Sequence, residues 1–327
     1  MLTAVIVLIA AAICAACSLW PRLHRSSGKV SLCKPPGRVP ISVNYHFTRQ
    51  CNYACGFCFH TAKTSYIAPV GEAKRGLKLL QEAGMRKLNF AGGEPFLYAS
   101  FLGKLLKYCK EDLKLESISI VTNGSLVKAD FLKVYGKYID ILAVSCDSFN
   151  EDTNVKIGRG SGGHLKTFAE LSKRCAEFNI KFKVNTVVNK YNFFEDMNDE
   201  ISRIDPFRWK CFQVLMVENE NDSDKTIRDA NRFKITDDEF TEFCTRHQHK
   251  RCFVPESNAV MKSSYLILDE YMRFLNKGVK EPTGSILDVG VEAAMADVYW
   301  DENSFQGRGG IYDWTKAPQE KPSKLDW

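Results

Sequence analysis

Short apolar runs alternate with helical patterns from Ile41 to Val217, and no other feature constrains the fold of this chain as much. Strand patterns occupy residues 41–45, 88–91, 117–121, 139–145, 182–188 and 211–217. Between them apolar side chains recur at helical spacing, as in Ala73, Leu77 and Leu80 before Gly84, or Phe101, Leu102, Leu105, Leu106 and Cys109. Further helical patterns run over 165–177 and 197–204. A chain that goes from strand through helix to strand has crossed the sheet, so neighbouring strands run parallel. Six such repeats predict a parallel α/β fold. Catalytic groups in barrels of this kind gather at the C-terminal strand ends, which selects Asn123, Ser145, Asn185 and the residues after the first strand.

Directly after the first strand comes the run Cys51-Asn52-Tyr53-Ala54-Cys55-Gly56-Phe57-Cys58. Three thiols within eight residues can close round one metal centre, and no fourth thiol lies nearby. Structural zinc takes four ligands and the common ferredoxin clusters four thiolates, so a three-thiolate cluster keeps one iron open to a substrate. Zinc held by Cys51, Cys55, Cys58 and His60 is the competing set, and three thiols of a reducing compartment without metal are a third reading. The strand at 88–91 runs into Gly92-Gly93-Glu94-Pro95. Two glycines let a ligand approach the backbone closely, and Glu94 adds an acceptor for a cationic amine. Standing alone, the tetrapeptide would be a plain strand-to-helix turn.

Together the two motifs resemble the radical S-adenosylmethionine superfamily, down to the aromatic Phe57 before the last cysteine. The resemblance implies a partial (β/α)6 barrel with a C-terminal extension closing the active site. It implies a [4Fe-4S] cluster on Cys51, Cys55 and Cys58. The amine and carboxylate of S-adenosylmethionine would chelate the fourth iron, with Gly92, Gly93 and Glu94 near the amine. One electron from the cluster would then release methionine and a 5′-deoxyadenosyl radical.

Charge and cysteine usage set limits. Arg22, Arg25, Lys29, Lys34 and Arg38 stand in the first 38 residues with no acid, so nearly all of the net charge of +6 lies there. The remainder is almost neutral, which argues against a nucleic-acid surface. Of the twelve cysteines, Cys109, Cys146, Cys175, Cys211, Cys244 and Cys252 are scattered singly and read as buried small hydrophobes in a reducing compartment. Residues 2–20 carry no charge, and basic residues come at once after them. The expected division is a membrane anchor at 1–20 with the body facing the cytosol, a basic Pro/Gly linker at 21–38, a barrel at 39–250 and an extension at 251–327. A cleaved signal peptide and an interfacial helix are the rivals for the first segment. The acidic stretch Glu218–Asp229 reads as a solvated insertion.

A narrower resemblance, to the viperin family, rests on the runs at 42–53, 58–64, 145–149, 254–258 and 264–276 and on the final Lys324-Leu325-Asp326-Trp327. It covers the chain from about residue 40 onward, whereas the N-terminal segment is shorter and more uniformly apolar than the amphipathic helix of vertebrate viperins. This resemblance implies dehydration of CTP to 3′-deoxy-3′,4′-didehydro-CTP, an antiviral chain terminator. The C4′ hydrogen would be abstracted and the 3′-hydroxyl lost as water.

Carried onto this sequence, the resemblance gives S-adenosylmethionine to Phe57, Gly92, Gly93, Glu94 and Ser145. It gives the triphosphate to Arg159, Lys183, Asn185, Arg208, Lys210 and Arg308, the base or sugar to Asn44, and a part after hydrogen abstraction to Tyr265. It further implies Trp327 as the tag read by the cytosolic iron-sulfur assembly machinery, a one-electron donor, and residence on the cytosolic face of the endoplasmic reticulum or on lipid droplets. Read from the residues alone, each cation by itself is a solvated surface charge, and Tyr265 is equally a core tyrosine. Arg159, Arg308, Lys183, Arg208 and Lys210 converging on the open end of a barrel would suit a polyphosphate, with Lys183 and Asn185 alternating on one face of a strand. Two other functions compete: the same chemistry on another nucleotide such as UTP, and a membrane-bound interaction scaffold with a structural cluster.

Overall fold

A computed structural model describes residues 38–316. The expected anchor, nearly all of the basic linker, and Trp327 lie outside the described residues. No helix among the described residues is long and apolar enough to cross a membrane.

The strands are β1 (Ser42–His46), β2 (Lys87–Ala91), β3 (Ser117–Thr122), β4 (Ile141–Ser145), β5 (Lys181–Val188), β6 (Arg208–Gln213), β7 (Phe253–Glu256) and β8 (Leu266–Leu268). They form one sheet in the order β7-β6-β5-β4-β3-β2-β1-β8, parallel at every pairing. Helices α1 (Val70–Glu82), α2 (Ala99–Glu111), α3 (Ala129–Tyr135), α4 (Glu151–Ile157), α5 (His164–Glu177), α6 (Asn198–Ile204), α7 (Asp237–His247) and α8 (Asn258–Ser264) make the crossovers. Buried residues such as Leu77 and Leu80 of α1 and Leu102, Leu105 and Leu106 of α2 belong to the same core cluster as Val43, Leu88 and Ile118 from the strands. Each fully buried leucine contributes about 1.5–3 kcal/mol relative to exposure. The parallel α/β expectation and the partial barrel are what the chain forms.

The sheet holds two strands beyond the six expected. Both come from the stretch set aside as a C-terminal extension. β7 has four residues, one of them Pro255, and β8 has three, so neither is long enough to show a period of two. β8 pairs with the free side of β1, which carries the sheet round into a half-barrel. A second difference concerns β6, which begins at Arg208 and not at Cys211. Arg208 and Lys210 are therefore strand residues in register with Lys183 and Asn185 of β5.

The tail beyond α8 closes the opposite end of the barrel from the cysteine loop. Trp314 is buried and its carbonyl accepts from Ser117 Oγ at 2.8 Å, while Asp313 pairs with Lys181 at 2.7 Å. Both partners are the first residues of their strands. The acidic stretch is not a freely solvated insertion. Glu220 pairs with the buried Arg49 and with Lys63, each at 3.2 Å, and the buried Asn221 donates to the Phe57 carbonyl at 2.8 Å. It packs over the cysteine loop because Arg49, six per cent exposed, needs carboxylate partners from Glu220 and Glu270.

Candidate active site

A cavity of about 340 Å3 runs inside the barrel and takes its lining from both strand ends. At the C-terminal ends stand Cys51, Cys55 and Cys58, on the loop after β1. Cys51 Sγ accepts from the backbone N–H of Tyr53 at 3.4 Å and from Asn123 Nδ2 at 3.9 Å, a donor set suited to a thiolate. Burial pushes all three thiols up, Cys55 to about 12, so they are protonated until a metal displaces the protons. Among the described residues no three His, Cys, Asp or Glu side chains gather closely enough to share one ion. Zinc would need all four ligands on one ion, whereas a cluster would offer each thiolate its own iron.

The glycine loop is tied directly to this end. Gly93 N–H donates to the Thr48 carbonyl at 2.7 Å and Glu94 N–H to that of Gln50 at 2.8 Å. A Cβ on Gly92, whose φ is +134°, would strike the Thr48 carbonyl, and one on Gly93 the Gln50 carbonyl. The close approach that requires glycine is thus to the stem of the cysteine loop as well as to the cavity. Glu94 corrects the expectation of a free amine acceptor. Its carboxylate is fully buried and accepts from Phe96 N, Thr122 Oγ1 and Asn123 N at 2.7–3.0 Å. It holds the glycine loop and Asn123 in place and does not line the cavity.

At the other end are cations. Lys87, Lys183, Lys210 and Arg308 line the cavity, and Arg208 stacks beside them over Tyr312 at 4.1 Å. Lys87 and Arg208 are the first residues of β2 and β6, so this cluster lies toward the N-terminal strand ends, against the rule that catalytic groups gather at the C-terminal ones. A buried carboxylate binds two of them. Glu256, 0% exposed, binds Lys210 Nζ and the Tyr265 hydroxyl through short contacts and Arg308 Nη1 at 3.5 Å. Burial alone would raise its pKa, but the attraction of Lys210 and Arg308 prevails and holds it below the usual carboxylate range. Burial brings Lys210 down to about 8 against the pull of Glu256, with Arg308 opposing its charge. Burial and then repulsion from Lys210 hold Lys87 and Lys183 well below the ordinary lysine value. Asn185 Oδ1, Arg208 Nε and Arg308 Nε are buried without any partner. A polyanion would supply acceptors for the two arginine donors and counter-charge for the lysines, while Asn185 Oδ1 needs a donor.

Most of the expected site residues meet in this one cavity. Asn44, Phe57, Gly92, Gly93, Ser145, Lys183, Asn185, Lys210, Tyr265 and Arg308 all line it, as do the three cysteines. Tyr265 is no ordinary core residue: its hydroxyl accepts from Lys210 Nζ at 2.8 Å and donates to Glu256, and Arg308 stacks on its ring at 3.9 Å. Arg159 lines the cavity too, but at the wrong end for a place among the other cations. It is the residue after Gly158, whose carbonyl accepts from Ala54 N–H at 3.1 Å, and it is paired with the buried Asp147 near Cys55. The sequence reading missed Lys87 and Asn89. The signal was present, since Lys87, Asn89 and Ala91 occupy alternate positions of β2, but the strand was started one residue late at Leu88.

Comparison with known proteins agrees. The pattern described as the radical SAM superfamily matches residues 45–204. The S-adenosylmethionine-dependent nucleotide dehydratase RSAD2 of Danio rerio is 53% identical over 309 residues, covering 93% of this chain and 85% of its own. The chain belongs to the viperin family of radical SAM enzymes. A bacterial member, the S-adenosylmethionine-dependent nucleotide dehydratase of Flammeovirga pacifica, is 36% identical over 84% of this chain and 96% of its own. Streptococcus suis SuiB, solved with S-adenosylmethionine bound, shares the fold with a TM-score of 0.60 at 18% identity, over 82% of this chain and 67% of its own. Radical SAM enzymes carry a [4Fe-4S] cluster and S-adenosylmethionine. The residues of this viperin-family cavity fit that pair: three thiols on one loop, N–H donors aimed at Cys51, and no fourth cysteine among the cavity-lining residues.

Proposed function

We infer that this chain is a radical SAM dehydratase of a nucleoside triphosphate, with CTP as substrate and 3′-deoxy-3′,4′-didehydro-CTP as product. One observation carries it: five basic side chains and the buried carboxylate of Glu256 gather at the end of the cavity opposite the three thiols. A structural cluster would have no use for them. Bound together, the cluster and S-adenosylmethionine supply the one-electron cleavage that removes a hydrogen atom from C4′ of the sugar.

The chain does the rest. Cys51, Cys55 and Cys58 hold the cluster. Gly92, Gly93 and Ser145 receive S-adenosylmethionine at the strand ends, and Arg159, already beside the cluster loop, is placed to face its carboxylate. Lys87, Lys183, Arg208, Lys210 and Arg308 receive the triphosphate, which restores the charge that burial and mutual repulsion suppress in the lysines. Asn44 and Asn89, paired in register across β1 and β2, address the sugar or base. Tyr265 Oη passes a proton to the departing 3′-hydroxyl and takes another from Lys210 Nζ, 2.8 Å behind it. An external donor supplies the second electron. Attachment through residues 2–20 to the cytosolic face of the endoplasmic reticulum, and cluster loading through Trp327, complete the proposal.

The test is an anaerobic assay of the cluster-reconstituted protein with dithionite and S-adenosylmethionine, following 5′-deoxyadenosine with each nucleoside triphosphate in turn. Stimulation by CTP with a product lighter by one water is expected. Stimulation by UTP in its place would move the substrate, and none by any nucleotide would overturn the function.

A further inference from the structure

A reaction that begins with one electron entering the cluster depends on the groups that touch the cluster's ligands. One such group stands on the turn directly after β3, where Asn123 is seven per cent exposed and lines the cavity. Asn123 Nδ2 donates to Cys51 Sγ at 3.9 Å and to Asn52 Oδ1 at 2.9 Å, which spends both of its N–H bonds. Among the described residues it is the one side chain that donates to any of the three sulfurs.

The direction of that amide is fixed by a closed ring of side chains. Asn123 donates to Asn52, Asn52 Nδ2 to Ser125 Oγ at 2.9 Å, and Ser125 Oγ back to Asn123 Oδ1 at 2.6 Å. The backbone N–H of Ser125 is a second donor to Asn123 Oδ1, at 2.9 Å. Turned over, the amide would set its oxygen against Asn52 Oδ1 and the sulfur, and its N–H groups against the two Ser125 donors. The backbone is held as firmly, since Asn123 N–H donates to the buried Glu94 carboxylate at 2.8 Å. Three loops well apart in the chain, at 51–52, 94 and 123–125, thus combine to aim one N–H at Cys51.

We propose that Asn123 is a positioning residue that sets the reduction potential of the cluster. The step concerned adds one electron from the external donor to the oxidised cluster and makes or breaks no bond. The reduced cluster carries one more negative charge, shared with its thiolates, so an N–H given to Cys51 Sγ stabilises the reduced form more than the oxidised one. The proposal rests on the assignment of Cys51, Cys55 and Cys58 to the cluster. The bland alternative is that Asn123 only braces its turn.

A potentiometric titration separates the two. It is made on the reconstituted full chain without S-adenosylmethionine and followed by the electron paramagnetic resonance signal of the reduced cluster. Asn123→Ala removes the donor, and at the unaltered protein's midpoint its ratio of reduced to oxidised cluster should be about fivefold lower. Ser125→Ala opens the ring and takes away one of the two donors that orient the amide. It should move the ratio the same way by about twofold. A brace alone would lower the melting temperature of Asn123→Ala and leave its midpoint where it was, and an unchanged midpoint in that variant with its cluster loaded overturns the proposal. Should Asn123→Ala not fold or not take up iron, Ser125→Ala carries the test, and an unchanged midpoint there overturns the proposal equally. An unaltered protein that took up no iron on reconstitution would instead bring down the assignment of the three cysteines, a distinguishable failure.

Discussion

The two ends of the cavity are built on opposite principles. The thiol end is made of loops whose polar groups are bonded to each other: Gly93 and Glu94 to the stem of the cysteine loop, Glu94 to Asn123, Asn123 to Cys51. The cation end is made of residues from separate strands and the tail, with Lys210 and Arg308 held by the carboxylate of Glu256 and with Arg208 Nε and Arg308 Nε left unpartnered. One end has its shape fixed by the backbone. The other is an electrostatic arrangement completed only by a ligand.

If the ends are separable, Cys55→Ala should have the largest effect and confine it to one end. Cleavage of S-adenosylmethionine should fall by about a thousandfold or more, while the calorimetric Kd for CTP stays within about threefold. Comparable loss of CTP binding in the folded variant would break the comparison. Next is Glu256→Gln, which leaves Lys210 and Arg308 buried without their counter-charge. Removing one partner of a buried pair costs about 3 kcal/mol, so the ligand-free variant should melt well below the unaltered protein and recover more on adding CTP. An unchanged melting temperature would mean that the cations do not depend on Glu256.

Arg308→Ala should raise the KM for CTP by about 30-fold and leave the uncoupled cleavage of S-adenosylmethionine intact, since a phosphate contact is remote from the sulfonium. Equal loss of both would remove Arg308 from the triphosphate. The smallest effect is in pH. Lys210, at about 8 in the free protein, is charged below that value, and CTP binding then needs no proton for it. Above it, binding must take a proton up, so affinity should fall by up to about tenfold per pH unit. Lys210→Gln should flatten that slope, and an unchanged slope would assign the titration elsewhere.

The same contrast explains what could be read from the sequence. The thiol end was legible because its chemistry is contiguous: the cysteine spacing and the glycine pair each fall on one loop. Even there Glu94 misled, since an exposed acceptor and a buried loop brace look alike until Thr122 and Asn123 are seen to donate to it. The cation end depends on strand register, which periodicity gives only to within a residue or two. Lys183 and Asn185 were found because β5 is eight residues long and alternates cleanly. Lys87 was lost at a strand boundary, and Arg159 was grouped by charge when Asp147 and the Ala54 contact hold it elsewhere. The two additional strands were invisible for want of length.

The most direct test of the central claim, that one cavity presents a nucleotide's sugar to the cluster-bound cofactor, is isotopic. CTP carrying deuterium only at C4′ is turned over anaerobically by the reconstituted protein, and the 5′-deoxyadenosine formed is examined by mass spectrometry. The account predicts 5′-deoxyadenosine heavier by one deuterium. Unlabelled 5′-deoxyadenosine, formed at the same rate with labelled CTP present, would show that the two ends of the cavity do not bring these atoms together.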